Sequence, residues 1–188
     1  MKYIKDEEFV RGDCPMTKEE VRILSIAKLE IEKDHNLLDI GAGTGSISIQ
    51  MSRCSPFGDV VAVEKDEEAL RVLEENKQKF EADNLSIVKG DAAQVKLDGM
   101  FDGIFIGGSR GNIDKIIEKY YQMLKQGGKM VLNFITIDNL YRAMNMLKSF
   151  DMETECIQVG ISRMRGSSCM LISNNPIFIL SGKKHRRF

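Results

Sequence analysis

Apolar and polar positions along this chain keep two rhythms, one helical and one of short continuous runs. Asp13-Cys14-Pro15-Met16 reads as loop, and Val21, Leu24, Ala27, Lys28 and Ile31 then recur at helical spacing, predicting an amphipathic helix over Thr17 to Ile31. Its start, Thr17-Lys18-Glu19-Glu20, reads as a capping box in which the Thr17 hydroxyl bonds an amide near Glu20 and Glu20 reaches back. Leu37 to Ile40 is an apolar run of strand length, followed by a glycine-rich turn and a helix from about Thr44 to Cys54. Ser55-Pro56-Phe57-Gly58 is a turn, and Asp59 to Glu64 is a second strand. Asp66 caps a helix carrying Leu70, Leu73 and Phe80 on one side. Strands follow at Asn84 to Lys89, leading to Gly90-Asp91-Ala92, and at Phe101 to Ile106, leading to Gly107-Gly108-Ser109. Asn112 to Lys125 is helical, with Gln126-Gly127-Gly128 as its stop, then come a strand at Lys129 to Asn133 and a helix at Thr136 to Phe150.

This alternation of strand and helix is that of an α/β fold with a parallel sheet covered on both faces. After Phe150 the helices cease. Glu153 to Ser162 and Met170 to Ser181 read as two long strands of an antiparallel hairpin, joined by the loop Arg163-Met164-Arg165-Gly166-Ser167-Ser168. The basic tail Lys183-Lys184-His185-Arg186-Arg187 reads as a frayed, solvated end. With 188 residues and no repeat or linker, the expectation is a single domain over 1–188.

Composition narrows the partners. The net charge is −1, which gives no global attraction to nucleic acid or to an anionic membrane. The first residues lack the apolar core of a signal peptide, and no run is long enough to span a bilayer. Cys14, Cys54, Cys156 and Cys169 are scattered without a paired spacing, as expected of reduced thiols in a cytoplasmic protein. His35 and His185 stand apart, so no metal site is expected.

The chemistry starts at Asp39-Ile40-Gly41-Ala42-Gly43-Thr44-Gly45, a turn that leaves a strand and enters a helix, with Glu64 ending the next strand. Such a unit suits a ribose-bearing cofactor. A dinucleotide fingerprint wants a third glycine where Ser46 stands. The compact turn instead resembles the first motif of the class I S-adenosylmethionine-dependent methyltransferases. That resemblance implies a Rossmann-like, seven-stranded, mostly parallel sheet with an antiparallel C-terminal hairpin, and S-adenosyl-L-methionine as cofactor. It implies that Gly41, Ala42, Gly43, Thr44 and Gly45 bring backbone against the cofactor. Asp39 would assist the methionyl ammonium, Glu64 the ribose hydroxyls, Asp91 and Ala92 the adenine, and Gly107 the transferable methyl. Read from the residues alone, Asp39 also serves as a loop cap, Glu64 as a solvated strand end and Asp91 as a helix cap.

A narrower resemblance rests on Asp6-Glu7-Glu8-Phe9, Pro15-Met16-Thr17-Lys18-Glu19-Glu20-Val21-Arg22, Ile106-Gly107-Gly108-Ser109-Arg110-Gly111-Asn112 and Asn174-Asn175-Pro176-Ile177-Phe178. Together these are similar to the cobalamin-biosynthetic precorrin methyltransferases that act at C-15 and decarboxylate. The likeness spans nearly the whole chain. It implies C-methylation of a cobalt-precorrin with loss of an acetate carboxyl, a homotetramer, and a helix start at Thr17 lying against the cofactor. Gly108 and Ser109 fall on the acceptor side.

Amine-methylating enzymes usually carry an Asn/Asp-Pro-Pro-aromatic clamp where this chain has Gly107-Gly108-Ser109. A carbon acceptor needs only to be held in line with the methyl. An anionic tetrapyrrole gives a role to Arg163 and Arg165, whose planar forks suit carboxylates, and a lesser one to Arg11 and Arg110. The plainer reading of Arg163 and Arg165 is two solvated loop arginines. No residue declares itself as acid or base, and the macrocycle is itself an electron sink for decarboxylation. The alternatives are a tRNA adenine-N1 methyltransferase, which would want a basic face this chain lacks, and a non-catalytic cofactor-binding subunit.

Overall fold

The computed structural model describes residues 3–107, 112–166 and 169–185, with the backbone alone at Arg165. After a short 3-10 turn at Asp6–Glu8 come α1 (Glu19–Leu29), β1 (Leu37–Ile40), α2 (Ser46–Cys54), β2 (Val60–Glu64), α3 (Glu67–Lys79) and β3 (Leu85–Lys89). The chain continues through β4 (Phe101–Ile106), α4 (Ile113–Gln122), β5 (Leu124–Phe134) and α5 (Ile137–Ser149). It ends in β6 (Glu153–Val159), β7 (Ser162–Arg165), β8 (Met170–Ser173) and β9 (Ile177–Lys183). Seven strands form one sheet in the order β3-β2-β1-β4-β5-β9-β6. β1 to β5 pair in parallel, and β9 runs antiparallel to β5 on one side and β6 on the other.

The apolar runs of β1, β2 and β4 are near-continuous because the sheet is covered on both faces there, so almost every position of these strands meets a core. Successive side chains alternate between the two. Leu37, Phe105, Val131 and Ile179 enter the core that also holds Ile26, Ile49 and Leu73 of the first three helices. Leu38, Ile104, Met130 and Leu180 enter the other, with Ile117 of α4 and Leu147 of α5. From β1 the chain steps outward to β2 and β3, then returns across β1 to β4. The turns leaving β1 and β4 diverge at that reversal and open a crevice at the carboxyl ends of the strands.

Five local expectations are corrected. Helix α1 begins at Glu19 with Lys18 at its N-cap, and no side chain closes its first turn. The capping box fails because the helix starts one residue late: Lys18 takes the N-cap, its side chain offers no acceptor, and Glu20, now in the second helical position, pairs with Arg163. The helix of residues 112–125 stops at Gln122, capped by Met123, and the glycine pair lies inside β5. There, Phe101 pairs with Leu124 but Gly103 pairs with Lys129, so residues 125–128 bulge from the ladder. A Cβ on Gly128 would stand 2.8 Å from the Asp102 carbonyl oxygen. That glycine serves the close approach of two strands rather than a helix stop.

The single long hairpin is in fact two nested pairings. β6 and β9 pair within the main sheet, while β7 and β8 form a separate antiparallel ribbon. Arg163 and Arg165 are therefore strand residues of β7, not loop residues. The basic tail is not wholly solvated: Lys183 ends β9, and Lys184 is buried, its Nζ donating to the Tyr121 and Leu124 carbonyls. Among the described residues, no helix is long and apolar enough to cross a membrane.

Candidate functional site

The crevice holds a cleft of about 550 Å3. Its floor is the glycine turn after β1. Gly43 and Gly45 adopt left-handed backbone, with φ of 57° and 77°. A Cβ on Gly45 would lie 2.1 Å from Leu73 Cδ1, so only glycine fits where α3 closes on the N-cap of α2. Gly41 and Ala42 donate their amides to the Val63 carbonyl at 2.9 and 3.2 Å, tying the turn to β2.

Glu64 anchors the same turn by its side chain. It is 9% exposed, and its Oε2 accepts from the Gly43 amide at 2.9 Å. Its Oε1 accepts from the amides of Lys65 and Asp66 at 2.7 and 3.0 Å. Three of a carboxylate's roughly four acceptor positions are thereby filled by backbone, leaving one on Oε2 towards the cleft.

Asp39 is 1% exposed at the heart of the sheet. Its Oδ2 accepts from the Ser48 hydroxyl, and its Oδ1 is buried without a partner. Burial pushes its pKa from 3.8 up to about 7, the Ser48 bond opposing and the Glu64 charge adding to the rise. The Thr44 hydroxyl is a second buried polar atom without a partner. Unmet groups of this kind are costly unless a ligand meets them. An orphaned buried carboxylate oxygen suits a cation.

Past β3, Asp91 accepts from the Ala93 amide at 2.9 Å and pairs with Lys65 Nζ at 2.8 Å, a bond that lowers its pKa. The next carbonyl, of Ala92, accepts from Lys119 Nζ at 2.9 Å and the Tyr120 hydroxyl at 2.8 Å. Helix α4 thus holds this loop. Burial, helped by the Asp91 charge, pushes the Tyr120 hydroxyl up to about 12, so it stays a donor. Among the described residues, no group of three or more His, Cys, Asp or Glu could hold a metal ion.

The structure brings Thr17, Asp39, Gly41, Ala42, Gly43 and Thr44 to the cleft lining. Glu64, Asp91, Ala92 and Gly107 join them from the neighbouring strand ends. Gly45 sits behind the lining as the N-cap of α2. Arg163 does not line the cleft: its Nε and Nη2 donate to Glu20 Oε1 at 2.9 and 2.6 Å, and the pairing raises its pKa. Arg11 is exposed and also off the lining. Gly108, Ser109, Arg110 and the Arg165 side chain lie outside the described residues.

Three buried polar residues that shape the cleft escaped the sequence reading. Arg22 donates to the carbonyls of Ile4 and Thr17 and to Asp6. The Gln50 side-chain oxygen accepts from the Ile4 amide. Asn76 exchanges bonds with the amide and carbonyl of Val10 and donates to the Thr44 carbonyl at 3.0 Å. They clamp the N-terminal segment down so that residues 13–17 form a wall of the cleft. One signal was available for Asn76: it follows Ala69, Val72 and Leu73 at helical spacing, a polar residue on an apolar face.

A family model described as "Precorrin methyltransferase domain" matches residues 8–184. The chain is 38% identical over 185 residues to the cobalt-precorrin-6B C(15)-methyltransferase (decarboxylating) of Salmonella typhimurium, covering 96% of each protein. Among solved structures it is similar to a precorrin-6y C5,15-methyltransferase from Geobacter metallireducens GS-15, with a TM-score of 0.92 and 34% identity, covering 97% of this chain and 96% of that one. It is also similar to precorrin 8w decarboxylase of Methanobacterium thermoautotrophicum, with a TM-score of 0.88 and 26% identity, covering 95% and 98%.

Proposed function

The chain belongs to the precorrin methyltransferase family, and from that premise we propose that it methylates C-15 of a cobalt-precorrin and removes the carboxyl of an acetate side chain, in cobalamin biosynthesis. On this reading residues 1–188 act as one methyltransferase domain. The observation that carries it is the orphaned Asp39 oxygen in a glycine-floored cleft, on a chain of this family over residues 8–184.

S-adenosyl-L-methionine is the cofactor this cleft fits, and when bound it supplies an electrophilic methyl. Asp39 Oδ1 receives the methionyl ammonium, a charge-assisted bond for an oxygen that otherwise has none. Glu64 offers the ribose its one open acceptor position on Oε2 while holding the turn by the others. Asp91 and Ala92 meet the adenine edge, and Gly41 to Gly45 bring backbone close along the nucleoside. Thr44 has its hydroxyl to give, and Thr17 closes the wall from the N-terminal segment. Gly107 would present backbone alone towards the methyl, and its strand end packs closely on the glycine turn: a Cβ there would stand 3.0 Å from the Phe105 ring and 3.3 Å from the Gly41 carbonyl. For an electron-rich acceptor carbon held in line, positioning supplies most of the acceleration. No acid or base is assigned.

We further propose a homotetramer. Met164, Met170, Leu171 and Ile172 stand exposed on the β7–β8 ribbon, an apolar surface suited to a second copy of the chain. Sedimentation should give about four chains per particle, and a monomer would refute this.

Function is tested by incubating the protein with methyl-labelled cofactor and either cobalt-precorrin-6B or tRNA. Label should enter the tetrapyrrole alone. Label in the tRNA, or in neither, would overturn the reading.

A further inference from the structure

An acceptor rich in carboxylates needs cations, and the cleft offers two among the described residues, Lys18 and Lys65. Lys65 is engaged with Asp91 at 2.8 Å. Lys18 is half-buried in the cleft wall, and among the described residues its side chain makes no hydrogen bond or ion pair. Glu20, two residues on, points elsewhere, since residues two apart at a helix start do not face each other, and it pairs with Arg163 at 2.6 Å. Arg163 meets only Oε1 of Glu20, whose Oε2 is buried without a partner and is not met by Lys18 either, so the lysine is left to the cleft.

The location also fits an acceptor rather than a nucleoside. Helix α1 packs on β5 and β9, and Ser25 is hydrogen-bonded to Asn133 at 3.0 Å. Asn133 lines the cleft with Lys18 and Val21, so this bond seats α1 against the β5 side of the cleft, whose lining also includes Ile135 and Ile177. That side pairs apolar walls with one ammonium, as suits a macrocycle carrying carboxylates. Lys18 also occupies the N-cap of α1, where the helix dipole adds positive potential. The segment is stiff, because Arg22 grips the Thr17 carbonyl at 2.8 Å.

We propose that Lys18 is the specificity-determining cation that binds a side-chain carboxylate of the acceptor. This rests on the proposed reading of the cleft as a tetrapyrrole methyltransferase site. The test compares wild type, Lys18→Met and Lys18→Arg by calorimetry with cobyrinic acid and with S-adenosylhomocysteine, and by turnover of cobalt-precorrin-6B. Lys18→Met should weaken cobyrinic acid binding and raise the acceptor KM by roughly tenfold, the scale of one charge-assisted bond. Lys18→Arg should restore both to within about threefold, with S-adenosylhomocysteine affinity unmoved throughout.

Unchanged cobyrinic acid binding in Lys18→Met would overturn the proposal. So would equal losses for both ligands, or no binding of cobyrinic acid to the wild type. Failure of the wild type to methylate cobalt-precorrin-6B would instead count against the functional reading, leaving the cobyrinic acid comparison to decide on Lys18.

Discussion

Around Gly43 the Glu64 carboxylate is already held by backbone amides, with Asp39 Oδ1 and the Thr44 hydroxyl left open, whereas around Ile135 and Ile137 large apolar side chains face solvent. The first end of the cleft is built from strand ends at the switch point, tied by short, local bonds. The second is built from the first turn of α1 and the starts of two late elements, with Asn133 and the Arg163–Glu20 pair as its polar joints. A pre-bonded end has little to reorganise when a ligand arrives, which is the structural condition for tight and specific binding. An apolar end with one unengaged lysine can accept a broad ring whose orientation is set by charge.

The largest expected effect falls on the pre-bonded end. Asp39→Asn should weaken S-adenosylhomocysteine binding by roughly 2–5 kcal/mol, the scale for losing one partner of a buried charge pair. It should leave folding intact, since an amide is easier to bury than a carboxylate. The wild-type carboxyl, raised to about 7 in the folded chain from 3.8, fixes the pH behaviour. Below 3.8 the group is protonated folded or unfolded; between 3.8 and about 7 the unfolded chain ionises first, so stability falls as pH rises. Ligand affinity should move the opposite way, strengthening as pH rises through about 7. Calorimetry from acid to neutral pH would show this slope in wild type and its absence in Asp39→Asn.

Glu64→Ala should come next, at roughly 1.5–3 kcal/mol of cofactor affinity. Because Glu64 also accepts from three amides, the melting temperature should fall with it. A normal melt with weakened binding would show that the turn stands without it. Asn76→Ala, losing bonds to Val10 and Thr44, should cost about 1–3 kcal/mol of stability. Hydrogen exchange should then rise in residues 3–18, and unchanged protection there would dissociate the N-terminal wall from α3.

Arg163→Ala should be smallest, under about 1 kcal/mol in a thermal melt, as for exposed ion pairs. It should leave S-adenosylhomocysteine binding untouched. Weakened binding of that ligand would erase the division between the two ends.

The same division governs what the sequence reveals. The pre-bonded end was legible because its determinants are local: the glycines of 41–45 follow a strand directly, Glu64 ends the next, and Asp91 lies two residues past the third. The other end is made by distant partners. Glu20 belongs to a capping box until Arg163, at a separation of 143 residues, takes its carboxylate. Gly127 and Gly128 have the composition of a helix stop, and only the register of β4 against β5 turns them into a bulge. Lys184 is basic by composition, yet lies over the Tyr121 ring at 4.1 Å and donates to buried carbonyls. Charge in one dimension does not distinguish a solvated lysine from one that ties the end of an interior strand to buried carbonyls.

The most direct measurement is the mass of the tetrapyrrole product after incubation with the protein and S-adenosylmethionine. A gain of about 14 Da together with a loss of about 44 Da on the same molecule is expected, methyl in and carbon dioxide out. An unchanged mass in the presence of bound cofactor would contradict it.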